Sequence, residues 1–486
     1  MSSRSALGPA LLALAAAVLA GCAVGPNYKR PTSESTAGFK NAVASESAAA
    51  HPPDRWWTLF HDPVLDQLIE QVDVSNQNLA QAVAAYAAAV AVTRQARAEL
   101  FPSFSADASG TRVKSGGRTG SAATIGSIAV NTPGTSGSSY STYQLTGSAS
   151  WELDVWGKLR RTLEQAKETA GADRADLANA RLSARSQLAT SYLELRGADA
   201  EHQLLAGTVE AYQRTLTITQ NRYRVGTVAK TDVLQAQTQL FTAEQQLDAV
   251  SLQRAQLEDA IAALVGRPAS NFHIAPRNEW NIPVPTIPTG LPSDLLRRRP
   301  DIVAAEHQVA AANANIGIQE ANYFPSLTLT GSYGLLSTEI GTLLQAANST
   351  TQFALSGSQT IFNFGLTQAQ VAEARAAWQE SVASYRQTIL AAFQAVENDL
   401  AATDWDKKQY DILKQASAAA DENERLTLNE YKAGTVDYTT VVVSQTAALS
   451  ARLSLAQMAV SEQTAAVSLV SDLGGGWSED DRQAAR

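Results

Sequence analysis

Cysteine, methionine and histidine are scarce in this chain of 486 residues, which has one Cys, two Met and five His. A single Cys excludes a disulfide framework and any cysteine-cluster metal site. Charged residues make up 17% of the sequence, against about 25% in an average soluble domain. Acidic side chains outnumber basic ones by 47 to 38, which argues against a protein that binds the nucleic-acid backbone.

Alanine, in contrast, is in excess, with 87 residues. Alanine is the best helix former and lets neighbouring helices approach closely. A helical pattern extends from Asp62 to Leu100, and another continues from Gly157 to about Val225 without a Pro. At 1.5 Å per residue the second helix would be about 100 Å long, so it needs partners along its whole length. The composition therefore predicts long helices in a coiled-coil or bundle arrangement.

The single Cys stands at the end of a secretory signal. Arg4 is followed by an apolar stretch from Ala10 to Ala20, and then by Gly21-Cys22. The sequence Leu-Ala-Gly-Cys is similar to the bacterial lipobox, in which the Cys becomes the lipidated first residue of the mature chain. The alternative is a chance Cys inside an ordinary cleaved signal. Ala23, where an Asp would retain a lipoprotein, favours the outer membrane. No later segment has 18 consecutive apolar residues, so no transmembrane helix is predicted.

The chain contains an internal repeat. Phe101-Pro102-Ser103 recurs 223 residues later, and Tyr223-Arg224-Val225-Gly226-Thr227-Val228 recurs 208 residues later as Tyr431-Lys432-Ala433-Gly434-Thr435-Val436. The predicted divisions are a signal peptide 1–21, a lipidated extended segment 22–61, a first repeat 62–266, a Pro-rich linker 267–291, a second repeat 292–473 and a polar tail 474–486.

Each repeat contains a pair of predicted strands, at about 103–152 and about 326–362. Apolar residues alternate there with Ser, Thr and Gln, as in Tyr143, Leu145, Gly147, Ala149 and Trp151, and again from Leu327 to Tyr333 and from Phe353 to Ile361. This alternation fits transmembrane β-strands and fits half-buried hairpins of a soluble sheet equally well. If the strands cross a membrane, four of them cannot close a barrel, so the chain must oligomerise. Three copies would supply 12 strands.

At this point the sequence resembles the TolC-like outer-membrane factors, and more closely their lipoprotein (NodT-type) branch. The resemblance covers nearly the whole chain. The stretches that carry it are Gly21 to Tyr28, Trp56-Trp57, Gly290 to Leu296, Arg298 to Ile302, and Leu473 to Trp477.

The resemblance implies an α+β membrane protein, a homotrimer whose 12-stranded outer-membrane β-barrel continues as a long periplasmic α-helical barrel. It implies the exit duct of a tripartite efflux or export system, opened by a periplasmic adaptor and supplied by an inner-membrane transporter, which we expect to be of the RND type. Alternatives are a type I secretion duct for proteins and a periplasmic coiled-coil adaptor lipoprotein. No motif of an enzyme is present, and no cofactor or metal is expected apart from the lipid on Cys22.

The two repeated turns, at about 224–232 and 432–440, are the predicted working ends of the helices. In the family such turns dock the adaptor, which here implies Val225, Gly226, Thr227, Ala433, Gly434 and Thr435. Asp232 and Asp437 lie just beyond the turns, and each is expected either to cap the returning helix or to form a ring of three carboxylates that narrows the entrance. Their candidate cationic partners are Arg222, Arg224, Lys230 and Lys432. The family often has an Asp further along the second turn, where this chain has Thr440 and Val443, so Asp437 is the nearest remaining carboxylate.

Overall fold

The computed structural model describes residues 23–32, 38–40, 52–114, 123–125, 128–130, 139–277, 283–288 and 292–477. The predicted signal peptide, Cys22 and most of the polar tail lie outside these residues. Contacts divide the chain into two compact units. The first unit consists of 1–29, 89–170 and 309–381, and contains the strands. The second consists of 30–88, 171–308 and 382–486, and is built mainly from helices.

Eight α-helices and six strands are formed by the described residues. The helices are α1 Pro63–Ser75, α2 Gln77–Ala98, α3 Lys158–Arg224, α4 Lys230–Leu264, α5 Pro292–Arg298, α6 Pro300–Ala321, α7 Leu366–Ala433 and α8 Tyr438–Asp472. The strands are β1 Ser103–Lys114, β2 Ala123–Ile125, β3 Ile128–Val130, β4 Ser139–Glu152, β5 Ser326–Ser337 and β6 Ser349–Ser358. None of the described helices is long and apolar enough to cross a membrane.

The bounds of the helices repeat along the chain. Helices α3 and α7 have 67 and 68 residues, and α4 and α8 have 35 each. Their first residues are separated by the 208 positions that separate the two turn sequences, and α2 and α6 begin 223 positions apart. Gly157 and Gly365, which precede the two longest helices, both have a positive φ, which an L side chain rarely adopts.

One predicted helix is in fact two, because the pattern from Asp62 to Leu100 is interrupted at Asn76. The backbone of Asn76 is extended there, with ψ of 124°. Its side-chain oxygen accepts a hydrogen bond from the backbone N–H of Leu79 at 3.0 Å, while its amide nitrogen donates to the Leu264 carbonyl at 2.8 Å. Asn76 therefore begins a second helix and ties it to α4, which hydrophobic periodicity alone does not indicate.

The first unit contains a four-stranded antiparallel sheet in the order β1-β4-β5-β6. Its register keeps like with like, because Leu145 lies opposite Ala108 and Leu335, whereas Ser148 lies opposite Ser105 and Ser332. One face is thus apolar and the other is lined by Ser, Thr and Gln. On the polar face the hydroxyls of Ser105 and Ser148 are 2.7 Å apart. Ile361, expected in the last strand, lies beyond its end at Ser358.

Large apolar side chains on the apolar face lie over glycines of the neighbouring strand. Gly331 pairs with Phe353, and a Cβ added at Gly331 would lie 3.2 Å from that ring. Gly110 pairs with Tyr143 in the same way, at 3.3 Å. A glycine leaves room for the ring to cover the backbone of the opposite strand, which fixes the register.

The core of the second unit joins the short 3₁₀ turn Trp56–Phe60 to α1, α3, α4 and α8. Within it, Asp62 is 1% exposed and caps α1 by accepting a hydrogen bond from the Val64 N–H at 2.9 Å. The same carboxylate accepts hydrogen bonds from the Tyr192 hydroxyl and from the Arg277 guanidinium, each at 2.8 Å. This buried carboxylate therefore ties the start of α1 to α3 and to the linker.

A second buried carboxylate, Asp199, anchors the start of the linker. It accepts from Arg196 at 2.8 Å and from Arg254 at 2.6 Å, and its side chain is 2% exposed. The same two guanidinium groups donate onward to the carbonyls of Ala275 and Ile274, at 2.9 and 2.6 Å. The linker backbone in this region is thus held by side chains of α3 and α4, with its carbonyls hydrogen-bonded to buried cations.

Candidate functional site: the two helical turns

The two repeated turns have the same hydrogen-bond geometry. At the first, Gly226 N–H donates to the Tyr223 carbonyl at 2.9 Å and Thr227 N–H to the Arg222 carbonyl at 3.0 Å. At the second, Gly434 and Thr435 make the equivalent bonds, at 3.0 and 3.1 Å. This is the Schellman pattern that ends a helix, and it needs a residue with positive φ. Gly226 and Gly434 supply it, with φ of 76° and 80°.

The threonine after each glycine strengthens the turn. The hydroxyl of Thr227 donates to the carbonyl that its own N–H contacts, at 2.9 Å, and Thr435 does the same at 3.0 Å. All six residues predicted to dock an adaptor are exposed, and Val225 retains 74% of its accessible surface. Each turn is therefore a fixed backbone that presents small side chains to solvent, and docking there stays a prediction.

Asp437 caps the helix that follows the second turn. Its carboxylate accepts hydrogen bonds from the backbone N–H of Thr440 at 2.9 Å and from the Thr440 hydroxyl at 2.7 Å. These two bonds favour the ionised carboxylate and lower the pKa of Asp437 below its usual value. Asp437 thus remains an exposed negative charge at the end of the second hairpin.

Asp232 does not cap the first returning helix, so that expectation is wrong. The N-cap position belongs to Ala229, which has no side-chain acceptor, and Asp232 lies within the first turn of α4. An Asp there still interacts favourably with the helix dipole. Burial together with the neighbouring Tyr431, Tyr212 and Asp232 raises the pKa of Tyr438 above its usual value. Asp232 therefore lies close to a buried tyrosine of the second repeat.

The candidate cations do not pair with these carboxylates. Within the residues that the structure describes, no ion pair joins Arg222, Arg224, Lys230 or Lys432 to Asp232 or Asp437. Arg222 instead donates to the backbone carbonyl of Tyr431 at 2.6 Å, and its guanidinium lies 4.6 Å from the centre of that ring. Arg224 bonds the side chain of Asn221. The charged contacts predicted to hold the turns together are therefore replaced, at Arg222, by a contact with an aromatic residue.

Sequence reasoning missed this aromatic cluster. Tyr431 and Tyr438, each 2% exposed, meet edge to face with ring centres 5.3 Å apart. The Tyr431 hydroxyl lies 3.4 Å from the hydroxyl of Thr219 on α3. The surrounding buried side chains are Tyr212, Leu216, Ala236, Leu240, Ala243 and Val441. The cluster joins all four helices that meet at the turns, so the two hairpins of one chain are held together mainly by packing.

The segment after the predicted lipidation site is fixed within the first unit. Arg161, whose side chain is 4% exposed, donates to the carbonyls of Val24 and Gly25 at 3.2 and 3.1 Å, and to Asn27 at 2.9 Å. Asn313 donates to the carbonyl of Pro26 at 2.9 Å. Residues of α3 and α6 thus hold the backbone that begins one residue after Cys22.

Comparison with known proteins gives the fold a context. The sequence profile described as outer membrane efflux protein matches residues 68–267 and 291–475. Over 479 residues the chain is 32% identical to the toluene efflux pump outer membrane protein TtgC of Pseudomonas putida, with 97% of this chain and 96% of that protein covered.

Two further proteins agree with that match. The chain is 30% identical over 446 residues to the pyoverdine export outer membrane protein OpmQ of Pseudomonas putida, covering 91% of this chain and 92% of that one. The crystal structure of the open state of the MtrE outer membrane channel of Neisseria gonorrhoeae superposes with a TM-score of 0.79. It is 29% identical, with 94% of this chain and 98% of that one covered.

Proposed function

This chain belongs to the outer membrane efflux protein family, and on that premise we propose that it works as a homotrimer with one shared β-barrel. It is the outer-membrane exit duct of an efflux system and not an enzyme. The observation that supports the trimer is the four-stranded sheet, in which all strands share one apolar and one polar face. Three such sheets would place 12 strands around a pore.

The barrel follows from the hydrogen bonds that the sheet leaves unmade. Within the described residues β1 and β6 each pair on one side only. Unpaired N–H and C=O groups are not tolerated in lipid, so each edge needs a partner strand. Pairing β6 of one copy with β1 of the next satisfies both edges, and the apolar face then lies against lipid. The Ser, Thr and Gln side chains line an aqueous lumen through which substrates leave.

The repeated helix bounds support an internal duplication, in which each copy contributes two similar hairpins to a periplasmic helical barrel. The exposed turns at Gly226 and Gly434 fit the docking of an adaptor hairpin, since their backbones are fixed and their side chains are small. An inner-membrane transporter, of RND type by resemblance, would supply the substrate. The named relatives handle toluene and pyoverdine, so the transported compound is a property of the whole assembly.

Cys22 is the proposed lipid attachment site. The ordered hydrogen bonds to residues 24–27 support this assignment, because they give the mature N-terminus a defined position beside α3 and α6. Each acyl CH₂ buried in the membrane would add about 0.8 kcal/mol to anchoring.

The entrance is proposed to be narrowed by three copies of Asp437. A ring of three carboxylates would favour cations and bind divalent ions. Asp437→Ala should raise conductance and weaken both cation preference and divalent block in planar-bilayer recordings. Asp437→Asn is the matched control for the cap, because Asn caps a helix as well as Asp does. If the Asn variant keeps wild-type selectivity and block, the ring does not exist and Asp437 serves only as a cap.

The oligomer is tested by the mass of the detergent-solubilised complex. The proposal predicts three copies of the processed chain per complex, together with a trimer band that persists in mild detergent and disappears on boiling. A monodisperse monomer that still restores export to cells would contradict the shared barrel.

A further inference from the structure

Helix α7 carries a regular apolar stripe that nothing in the described chain covers. Trp405, Ile412, Ala419 and Leu426 recur at intervals of seven and are all exposed; Ile412 retains 65% of its accessible surface. The only large group near Trp405 is the ammonium group of Lys408, 4.5 Å from the centre of the ring. Apolar residues that repeat every seven positions over four positions form the contact line of a coiled coil.

Helix α4 carries a second stripe of the same kind. Leu234, Phe241 and Leu252 are exposed, and they lie on one side of the helix, opposite the buried Ala236, Leu240 and Ala243. The spacing from Leu234 to Phe241 is again seven residues. Helix α4 thus packs against its own chain on one side and presents large apolar groups on the other.

Exposed apolar stripes are not a general property of these helices. The exposed positions of α3 between 202 and 221 are His202, Gln203, Gly207, Glu210, Gln213, Arg214, Thr217 and Asn221, none of which is a large apolar residue. An exposed apolar stripe therefore marks α4 and α7 as the two helices that meet another surface.

The two stripes match in height above the turns, where all four helices meet in one cluster. Helix α4 begins at Lys230 and α7 ends at Ala433. At 1.5 Å per residue, Leu252 lies about 33 Å above the turns and Ile412 about 32 Å. Phe241, at about 17 Å, falls between Leu426 at about 10 Å and Ala419 at about 21 Å. The large ring therefore faces a gap beside a small residue.

The charges beside the stripes are complementary. Between Leu234 and Gln253 the charged residues of α4 are Glu244 and Asp248, both exposed. The exposed charged residues of α7 between Trp405 and Ala420 are Lys407, Lys408, Asp411 and Lys414. Asp248 lies about 27 Å above the turns and Lys414 about 29 Å. An acidic flank on one helix thus faces a mainly basic flank on the other at the same height.

We propose that the α7 stripe of one copy packs against the α4 stripe of the next, as an antiparallel coiled-coil seam repeated three times around the helical barrel. This rests on the trimer proposed above, and it names the surfaces that join the copies below the membrane. Neither stripe can meet the other within a single described chain, because α4 and α7 both turn these faces to solvent.

The test is disulfide formation between chains in membranes of cells that make the full-length protein. Leu252→Cys combined with Ile412→Cys places two thiols at equal height on opposite sides of the seam, and the natural sequence has no Cys after Cys22. Mild oxidation should convert most of the double variant into covalent dimers and trimers, while each single variant should give none. Gln203→Cys with Leu252→Cys is the matched control, since Gln203 is exposed on α3 about 32 Å above the turns.

The outcomes separate the seam from the trimer. Interchain bands from the 252/412 pair and not from the 203/252 pair support the seam. A complex with the mass of a trimer that gives no bands from the 252/412 pair, or equal bands from both pairs, overturns the seam and leaves the trimer intact. A disulfide from Ile412→Cys to a different protein overturns it too, by showing that a partner covers the stripe. A monomeric mass overturns both proposals.

Reversal of charge gives an independent measurement. Asp248→Lys should lower the temperature at which the trimer dissociates, because it faces Lys414 of the neighbouring copy. Adding Lys414→Glu should restore at least half of that loss. Glu210→Lys, on the exposed polar face of α3, should leave the dissociation temperature unchanged. If the double variant dissociates at a lower temperature than Asp248→Lys alone, the two residues do not face each other.

Discussion

Replacement of Asp399 by Asn should make the protein more stable at pH 8 and remove a part of its pH dependence. Asp399 lies on α7, and its Oδ2 atom is buried without a hydrogen-bond partner within the described residues. Burial, and then the nearby carboxylate of Asp472, raise the pKa of Asp399 from 3.8 to about 7. The nearby cation, Arg299, is already bonded to Asp301 at 2.8 Å and to the Asp472 carbonyl at 2.9 Å.

The sign of the effect follows from proton binding. Below pH 3.8 Asp399 is protonated in both the folded and the unfolded chain, and its contribution to stability is fully present. Between pH 3.8 and about 7 the unfolded chain releases the proton while the folded chain keeps it. The free energy of unfolding therefore falls as the pH rises, by up to about 4 kcal/mol in total. Asn is neutral in both states and carries no such penalty.

The assay is thermal unfolding of the detergent-solubilised protein at pH 5 and pH 8, at one heating rate. For a chain of 486 residues, about 4 kcal/mol corresponds to about 4 °C in the unfolding temperature. We expect Asp399→Asn to gain up to that amount at pH 8 and clearly less at pH 5, while Asp411→Asn, exposed on the same helix, gains nothing. An Asn variant that is no more stable than wild type at pH 8 would refute the reasoning.

Three further predictions follow from single contacts. Asp199→Ala should lower the free energy of unfolding by about 3–5 kcal/mol, because it leaves buried guanidinium groups without their carboxylate; chemical denaturation with a matched Glu210→Ala control measures it. Arg222→Ala should raise resting conductance in planar bilayers by loosening the aromatic cluster, whereas Tyr431→Phe, which keeps the ring, should stay near wild type. Cys22→Ser should abolish labelling with palmitate yet leave most of the protein in the outer membrane, and complete release of correctly folded protein would contradict the barrel.

The strands and the turns are the parts that the sequence predicts best, because both depend on local rules. Alternation at Tyr143, Leu145 and Trp151 reports which face of a strand each side chain occupies. The glycines at 226 and 434 report a positive φ that few other residues adopt. The offsets of 208 and 223 residues also recur in the bounds of the helices, since they reflect the same local signals.

Contacts between distant segments are what the sequence could not supply. The break at Asn76 depends on a carbonyl of Leu264, and the position of Arg222 depends on the ring of Tyr431. Tyr431 and Tyr438 stand on either side of the second turn, a pattern that could have indicated the cluster. The equivalent of Tyr431 in the first repeat, Tyr223, is exposed, so similarity between the repeats gave no such indication.

The central claim is that three copies enclose one water-filled duct, and single-channel recording tests it most directly. Purified trimers reconstituted in a planar bilayer should give discrete conductance steps, which are absent from a variant that lacks residues 326–358, the β5–β6 hairpin. Trimers of the correct mass that insert into the bilayer and conduct no ions under any condition, including with both Arg222→Ala and Asp437→Ala in place, would contradict the account.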